Sequence, residues 1–484
     1  MQIHASTKLP ASGEAEWLVV PLFDGEDGPP ASLRETPTGR LIARLRASGL
    51  VGADLGETTP LLGIEGDGPA TPTAGPGTGA CTNGVATSAA GVAYPCLGID
   101  LAAHLSPQQL GVTPAGTVYG NSVWGWADPT TRREYAVVGN SDGTRFVDVT
   151  VPTAPIQLGM LPTATDVSVW RETRVQGDLA VIVSEATGHG LQIFDMKTLR
   201  GLTADPARRF TATSTYRGFG SAHAVVTTEG AGAPPIVYGV GSRELLDASL
   251  PAACAAPGFH GVDLSDPANP TFAGCFSDVT KDASPVTAPG YTHDAQCMVY
   301  RGTDADYTGR QICFASNEDV VTIYDVTDAA NVRIVSQAVY PNDSYTHQGA
   351  LTTDGRYFLV DDELDEQNGL AATQRTIVLD FLDLDAPEVA FIHDSALTVI
   401  DHNQYIVGDR VYQSNYEAGL RVLDTSAVPQ GRLTEVAFFD TYPQGQSAQF
   451  NGQWANYPFF PSGTLLGNDI NNGLFVLTPS PTPR

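Results

Sequence analysis

Asp319-Val-Val-Thr-Ile-Tyr-Asp325 is an acidic turn followed by an alternating strand that ends on aspartate, and this phrase returns along the chain. Earlier copies are Asp142-Gly-Thr-Arg-Phe-Val-Asp148, His189-Gly-Leu-Gln-Ile-Phe-Asp195 and Gly258-Phe-His-Gly-Val-Asp263. Later ones are Gln374-Arg-Thr-Ile-Val-Leu-Asp380, Gly419-Leu-Arg-Val-Leu-Asp424 and Gly473-Leu-Phe-Val-Leu-Thr478, the last with threonine in place of aspartate. The copies lie roughly 45–70 residues apart, the period of propeller blades. A unit of that size cannot bury its own apolar face, so copies must stack, and short β units stacked radially close around a channel. The expectation is an all-β fold, a β-propeller of about seven blades, with a small α/β extension at the N-terminus.

A second apolar run precedes each signature strand, as in Tyr135-Ala-Val-Val-Gly139, Leu179-Ala-Val-Ile-Val183 and Gln311-Ile-Cys-Phe-Ala315. Short continuous apolar runs fit strands covered on both faces. Proline-rich turns follow several signature strands, for example Val151-Pro-Thr-Ala-Pro155 and Asp266-Pro-Ala-Asn-Pro270. Gly98-Ile-Asp-Leu-Ala-Ala-His104 is a spare strand, expected to close the ring against the C-terminal blade and so remove the free sheet edges.

The 484 residues divide into an extension at 1–66, a Gly/Pro/Thr-rich linker at 67–80, a propeller at 81–478 and an extended tail at 479–484. Charged residues are sparse at 17 %, while 50 Gly and 34 Pro suit many strands joined by turns. The formal net charge of −28 repels nucleic acid and anionic lipid and attracts cations, so nucleic acid is not an expected partner. No run of 18 apolar residues marks a membrane span.

Six cysteines fall in three local pairs, Cys81/Cys96, Cys254/Cys275 and Cys297/Cys313, none with the spacing of a zinc knuckle or redox motif. Six cysteines allow 15 pairings. Local bridges over loops of this length would each add roughly 3 kcal/mol and would place the chain in an oxidising compartment, extracellular or at the cell surface. The competing reading is six buried thiols. Met1-Gln-Ile-His-Ala-Ser-Thr-Lys8 has no signal-peptide pattern, which runs against the disulfide reading.

Several segments together resemble the choice-of-anchor B family, whose repeats are named LVIVD after their strand. They include Trp124-Gly-Trp-Ala-Asp128, Tyr291-Thr-His-Asp-Ala-Gln-Cys297, Tyr345-Thr-His-Gln-Gly349, Asp361-Asp-Glu-Leu-Asp-Glu-Gln-Asn368 and Ile400-Asp-His-Asn403. The resemblance runs from about Cys81 to Leu477. It implies a secreted or surface-held propeller attached by varied C-terminal anchors, with no established biochemical activity. This sequence departs from that pattern at both ends, where neither a leader nor an anchor is read. Trp17 to Asp24, Leu41 to Leu50 and Gly56 to Leu62 resemble the start of the leucyl aminopeptidase N-terminal domain, without that family's catalytic domain.

One large ring side chain precedes the first strand of each repeat: Trp124 or Trp126, Trp170, His223, His293, His347, His402 and Trp454. Acidic and amide groups follow the second strand, among them Glu185, Asp361, Asp362 and Glu363. In a propeller these positions gather at the channel mouth. The candidate metal ligands are therefore His223, His293, His347, His402, Asp294, Asp361, Asp362 and Asp401. Imidazoles favour a transition metal and carboxylates a hard cation such as calcium. The alternative is structural, each imidazole locking one blade to the next. The run Asp361-Asp-Glu-Leu-Asp-Glu366 is a second candidate, for calcium, although it lacks EF-hand spacing. Hydrolase and phosphate-loop signatures are absent. The expected function is binding of an extracellular protein or small ligand, the alternative a metal-dependent hydrolase or lyase.

Overall fold

A computed structural model describes residues 79–280, 289–329 and 331–481. The extension at 1–66, most of the linker and the end of the tail lie outside the described residues.

Four-stranded antiparallel meanders follow one another along the chain. The first is Gly120–Ala127, Glu134–Asn140, Gly143–Asp148 and Ile156–Pro162. The second is Arg171–Gln176, Leu179–Ser184, Leu191–Asp195 and Ser214–Tyr216. The next two begin at Ala224–Glu229 and Asp294–Val299, and these first strands pair in parallel through Thr228↔Cys297 and Glu229↔Met298. That pairing fuses two meanders into one eight-stranded sheet, so the hydrogen bonding does not separate the expected seven blades. Further meanders begin at Thr346–Leu351 and Gln404–Val407. The latter is widened to six strands by Val85–Thr87 and Ala93–Leu97, where Cys96 pairs with Phe439.

The last sheet holds Gln453–Tyr457, Leu465–Asp469 and Gly473–Pro479, and its fourth strand is Ile99–Leu105 from the other end of the chain. The spare strand thus closes the ring as expected. Pro479, read as tail, pairs with Ile99, and Ser480 donates its N–H to the Gly98 carbonyl. First strands of successive meanders lie side by side, and Gln453–Tyr457 returns to Gly120–Ala127. The fold is a β-propeller.

The repeated phrase has a local cause. Its terminal aspartate accepts the N–H of the residue two places on: Asp148 from Thr150, Asp195 from Lys197, Asp263 from Ser265, Asp325 from Thr327, Asp380 from Leu382 and Asp424 from Ser426. These Asx turns end the strand and aim the chain into the next one. An arginine just before the second strand, or its first residue in the case of Arg410, grips the same carboxylate in four meanders: Arg133–Asp148, Arg310–Asp325, Arg356–Asp380 and Arg410–Asp424. The opening glycines Gly190, Gly419 and Gly473 hold φ of 68°, 69° and 89°, and a Cβ on each would collide with main-chain oxygen of the neighbouring strand.

The core lies between sheets. Phe314, Phe358 and Phe381 stack across one such gap, and Phe146 and Phe194 across another. Three disulfides join Cys81–Cys96, Cys254–Cys275 and Cys297–Cys313, the local pairs of the sequence, and no cysteine is free. Among the described residues no helix is long and apolar enough to cross a membrane.

Candidate metal centre at the hub

The first strand of each meander begins at one mouth of the channel. His223 and His293 directly precede Ala224–Glu229 and Asp294–Val299, and His402 stands just before Gln404–Val407. His347 occupies a register shift between Thr346 and Gln348, and Trp454 occupies the matching shift between Gln453 and Ala455. In the first meander the shift falls between Gly120 and Val123, so the equivalent residue is Asn121. Trp124 sits farther down the strand and Trp126 is buried in the core, which corrects the sequence-based placing of either at this position.

The four imidazoles form a continuous arc. Ring centroids are 4.0 Å apart for His223–His293, 4.2 Å for His293–His347 and 4.3 Å for His347–His402. Every Nδ1 faces an oxygen, and for His293 and His402 it is a main-chain carbonyl, which can only accept. His223 meets Glu185 Oε1 at 2.7 Å, His293 the His347 carbonyl at 3.0 Å, His347 meets Asp361 Oδ2 at 2.7 Å, and His402 the Trp454 carbonyl at 2.5 Å. Nδ1 of His223, His293 and His402 must then carry the proton, and Nε2 of each of these neutral rings presents a lone pair; at His347 burial pushes the partner Asp361 carboxyl well above its usual range. No described residue hydrogen-bonds to any of these four Nε2 atoms, and all four rings line one cavity of about 20 Å³, room for roughly one water or ion.

Glu363 completes the cluster. Its Oε1 lies 3.5 Å from His402 Nε2 and 4.0 Å from His347 Nε2, and it accepts the Tyr416 hydroxyl at 2.6 Å. One ligand atom each from His293, His347 and Glu363 fall within 4.8 Å of one another. Burial is the main force on His293, His347 and His402, pushing all three below the usual imidazole range; neighbouring imidazoles push the same way, while Glu363 and Asp294 pull His347 back up. Neutral rings are the form that binds metal. Burial pushes Glu363 up, against the pull of His347 and the Tyr416 hydrogen bond.

The other sequence candidates divide. Asp361 stands behind His347 and also accepts the Gln348 N–H. Asp294 lines the cavity floor, 3.8 Å from Arg174, whose guanidinium also donates to Tyr405 and lies over the Trp124 ring. Asp362 is not directed to the cavity: it accepts the Ser344 and Tyr345 N–H groups and the Tyr340 hydroxyl, pinning the preceding loop. Asp401 is turned to Gln374 of the adjacent meander. The sequence pattern does not mark Glu363 and Tyr416 as ligands of the hub. Glu363 has one available signal: it and Glu318 each stand two residues beyond an equivalent paired position, Asp361 and Ser316.

An ion held about 2.1 Å from each nitrogen in a tetrahedral set would place adjacent imidazole centroids roughly 5 Å apart, wider than the observed spacings, and among the described residues it is His293, His347 and Glu363 that bring ligand atoms within 4.8 Å of one another here. The rest of the ring carries Trp170, Asn121 and Trp454, none of them a strong metal donor, which leaves one side of such an ion open. Carboxylates behind His223 and His347 and carbonyls behind His293 and His402 match the outer partners that orient metal-bound histidines. Ser184 and His189, close to Glu185 in sequence, do not join the site: Ser184 bonds the Trp170 carbonyl and His189 bonds Arg171.

No family model matches the chain, and no curated protein matches it. Solved structures with a similar trace include the β-propeller domain of Cps50 (Swd1) from Myceliophteria thermophila, at 10 % identity and a TM-score of 0.46, covering 76 % of this chain and 99 % of that one. Hydrazine synthase from Kuenenia stuttgartiensis matches at 10 % identity and a TM-score of 0.48, covering 75 % of this chain and 96 % of that one. The strand pairing itself identifies this chain as a β-propeller.

Proposed function

We propose that this chain is a secreted or cell-surface β-propeller whose hub binds one transition-metal ion through Nε2 of His223, His293, His347 and His402. The observation that carries this reading is that each ring turns Nδ1 to an oxygen partner while all four rings line one small cavity. Read by strand order, the eight-stranded sheet counts as two blades and the ring as seven, and four adjacent blades supply the ligands. Three disulfides, the −28 charge and the resemblance to choice-of-anchor B repeats support an extracellular setting. An imidazole-only set favours zinc, copper, iron or nickel over calcium or magnesium.

The open side of the ion is where a small ligand would bind, next to Glu363 and Tyr416. The binding reading and the metal-enzyme reading share this site and differ only in whether the ligand is changed there. Metal analysis of protein purified without chelator tests the proposal. The expected result is about one transition-metal ion per chain, lost in His293→Ala and His347→Ala variants that keep their β-sheet circular dichroism. A metal-free chain that takes up none of these ions, with both variants merely less stable, would leave the histidines a purely structural role.

A further inference from the structure

Each first strand begins at the hub mouth, so the connections that enter first strands, and those that join second strands to third, lie on the hub side. Connections between first and second strands, and between third and fourth, lie on the opposite side. Charge is divided unevenly between the two. Among the described residues the hub-side connections hold two cations, Arg217 and Arg243, while Asp166, Glu244, Asp247 and Asp343 stand exposed there and Glu185 is half-buried. The opposite side mixes the signs: Arg132, Arg133, Lys197, Arg301, Arg356 and Arg432 stand among its aspartates. The negative excess of the described residues is therefore gathered on the hub side.

The same face exposes apolar side chains. Val167, Trp170, Leu246, Leu370 and Phe450 all lie on hub-side connections and are each 41–49 % exposed. The connections that carry the first three interlock. The Ser184 hydroxyl donates to the Trp170 carbonyl at 2.9 Å, the Gly188 N–H to Glu244 Oε2 at 3.1 Å, Arg217 to the Gly188 carbonyl at 2.6 Å and the Leu246 N–H to the Gly218 carbonyl at 3.1 Å. Gln367 donates to the Ala448 carbonyl at 3.2 Å, which joins the connections of Leu370 and Phe450. Apolar groups gathered on one face and rimmed by charge mark an interaction surface, whereas single exposed ones do not.

A single small cation would answer one of these carboxylates, which stand on connections of different meanders. Nucleic acid and anionic lipid are repelled. A polyamine would answer the charge and leave the rings and aliphatic groups in water. A polypeptide segment with interspersed basic and apolar side chains answers both, and its arginines or lysines can also lie over the exposed Trp170 ring. We propose that the hub-side face docks such a basic, partly apolar segment of a partner protein. The field of this face steers the segment there, because the opposite side offers no comparable excess. The docking does not rest on a metal at the hub.

Fluorescence anisotropy with a labelled peptide of alternating arginine and leucine, at about 50 mM and about 200 mM salt, tests this on the full chain kept metal-free in EDTA. Failure here and failure of the metal centre are then read separately. The expected result is binding at the lower salt that weakens at the higher. Replacing three exposed hub-side aspartates together, Asp166→Asn, Asp247→Asn and Asp343→Asn, should weaken binding about tenfold or more. The same charge change at exposed positions on the opposite side, Asp266→Asn, Asp306→Asn and Asp354→Asn, should alter it less than about twofold. Leu246→Ala combined with Phe450→Ala should weaken it about fivefold or more. Equal losses from the two aspartate triples would overturn the proposal, leaving only unspecific attraction to a negative chain. So would an absence of binding, or full binding after the two apolar side chains are removed. Should a variant fail to fold, photocrosslinking of the peptide to the unmodified chain decides the matter: crosslinks to 163–170, 243–247 or 446–451 support the face, and crosslinks only elsewhere, or none, overturn it.

Discussion

His293 and His347 are joined twice: Nδ1 of His293 donates to the main-chain oxygen of His347 at 3.0 Å, and their rings lie 4.2 Å apart. The first contact ties one meander to the next. The second builds the hub. The structural reading and the proposed metal centre are therefore compatible, because each ring has a separate nitrogen for each task. His402 repeats the arrangement on the Trp454 carbonyl, and Asn121 makes the same latch to the Val169 carbonyl without any metal donor.

Asn121 supplies a way to separate the two tasks. His293→Asn should keep a donor for the His347 carbonyl while deleting Nε2. His293→Ala should delete both. Measured on metal-free protein by urea unfolding, the alanine variant should be less stable than the asparagine variant by about 1–3 kcal/mol, the cost of a buried carbonyl left without its donor. Both should lose hub metal. Equal stability of the two would show that the latch contributes nothing.

Asp361 Oδ2 stands 2.7 Å from Nδ1 of His347 and orients the ring from behind. Asp361→Asn would present a weaker acceptor, or an N–H, to Nδ1 and release the ring to flip. Metal affinity at the hub should fall about 10- to 100-fold, the usual effect of removing such a partner. Competition against a chromophoric chelator reads this directly, and unchanged affinity would remove Asp361 from the site.

Asp469 gives a pH test that does not involve the proposed ligands. Burial pushes its carboxyl up to about 6 from 3.8, against hydrogen bonds from the Asn471 and Asn472 N–H groups. The folded state then holds a proton that the unfolded state releases, so stability falls as pH rises from about 4 to about 6 and is level above that. Asp469→Asn keeps an acceptor oxygen and removes the charge. It should be more stable than the parent by on the order of 1–3 kcal/mol above pH 6, with the difference shrinking toward pH 4. Denaturant midpoints across that range check it, and a pH-independent difference would contradict the cause given.

Cys297 and Cys313 face each other across adjacent strands, 16 residues apart in sequence. Replacing both by serine should lower unfolding free energy by about 2–3 kcal/mol. Non-reducing peptide mapping should recover all three local pairs from native protein. Free thiols at these positions would remove the main support for an oxidising compartment.

The propeller was legible because its repeat has a chemical cause at the end of each signature strand. Asp148 and Asp325 cap the same turn with the same N–H, so the aspartate recurs where the intervening strand residues drift. Ring closure was legible because Gly98 to His104 reads as a strand with no partner nearby in sequence. The histidine position was legible where histidine, a rare residue, recurs at one offset. It failed in the first meander, where the register shift after Gly120 moves the equivalent position to Asn121, a residue that does not stand out. Asp401 misled because neighbours in an extended segment point to opposite sides, so adjacency to His402 carries its carboxylate away from the hub. Glu363 and Tyr416 come from loops of different meanders, and their 2.6 Å contact exists only once the ring has closed. The parallel pairing of Thr228 with Cys297, which fuses two meanders, leaves no mark in the residue pattern.

X-ray absorption on the chain purified without chelator addresses the hub most directly. The expected spectrum shows a transition-metal edge with about four imidazole nitrogens near 2.0–2.1 Å and the outer scattering of their rings. A folded, disulfide-bonded chain with no metal edge, or with an ion surrounded by oxygen alone, would contradict the four-histidine centre.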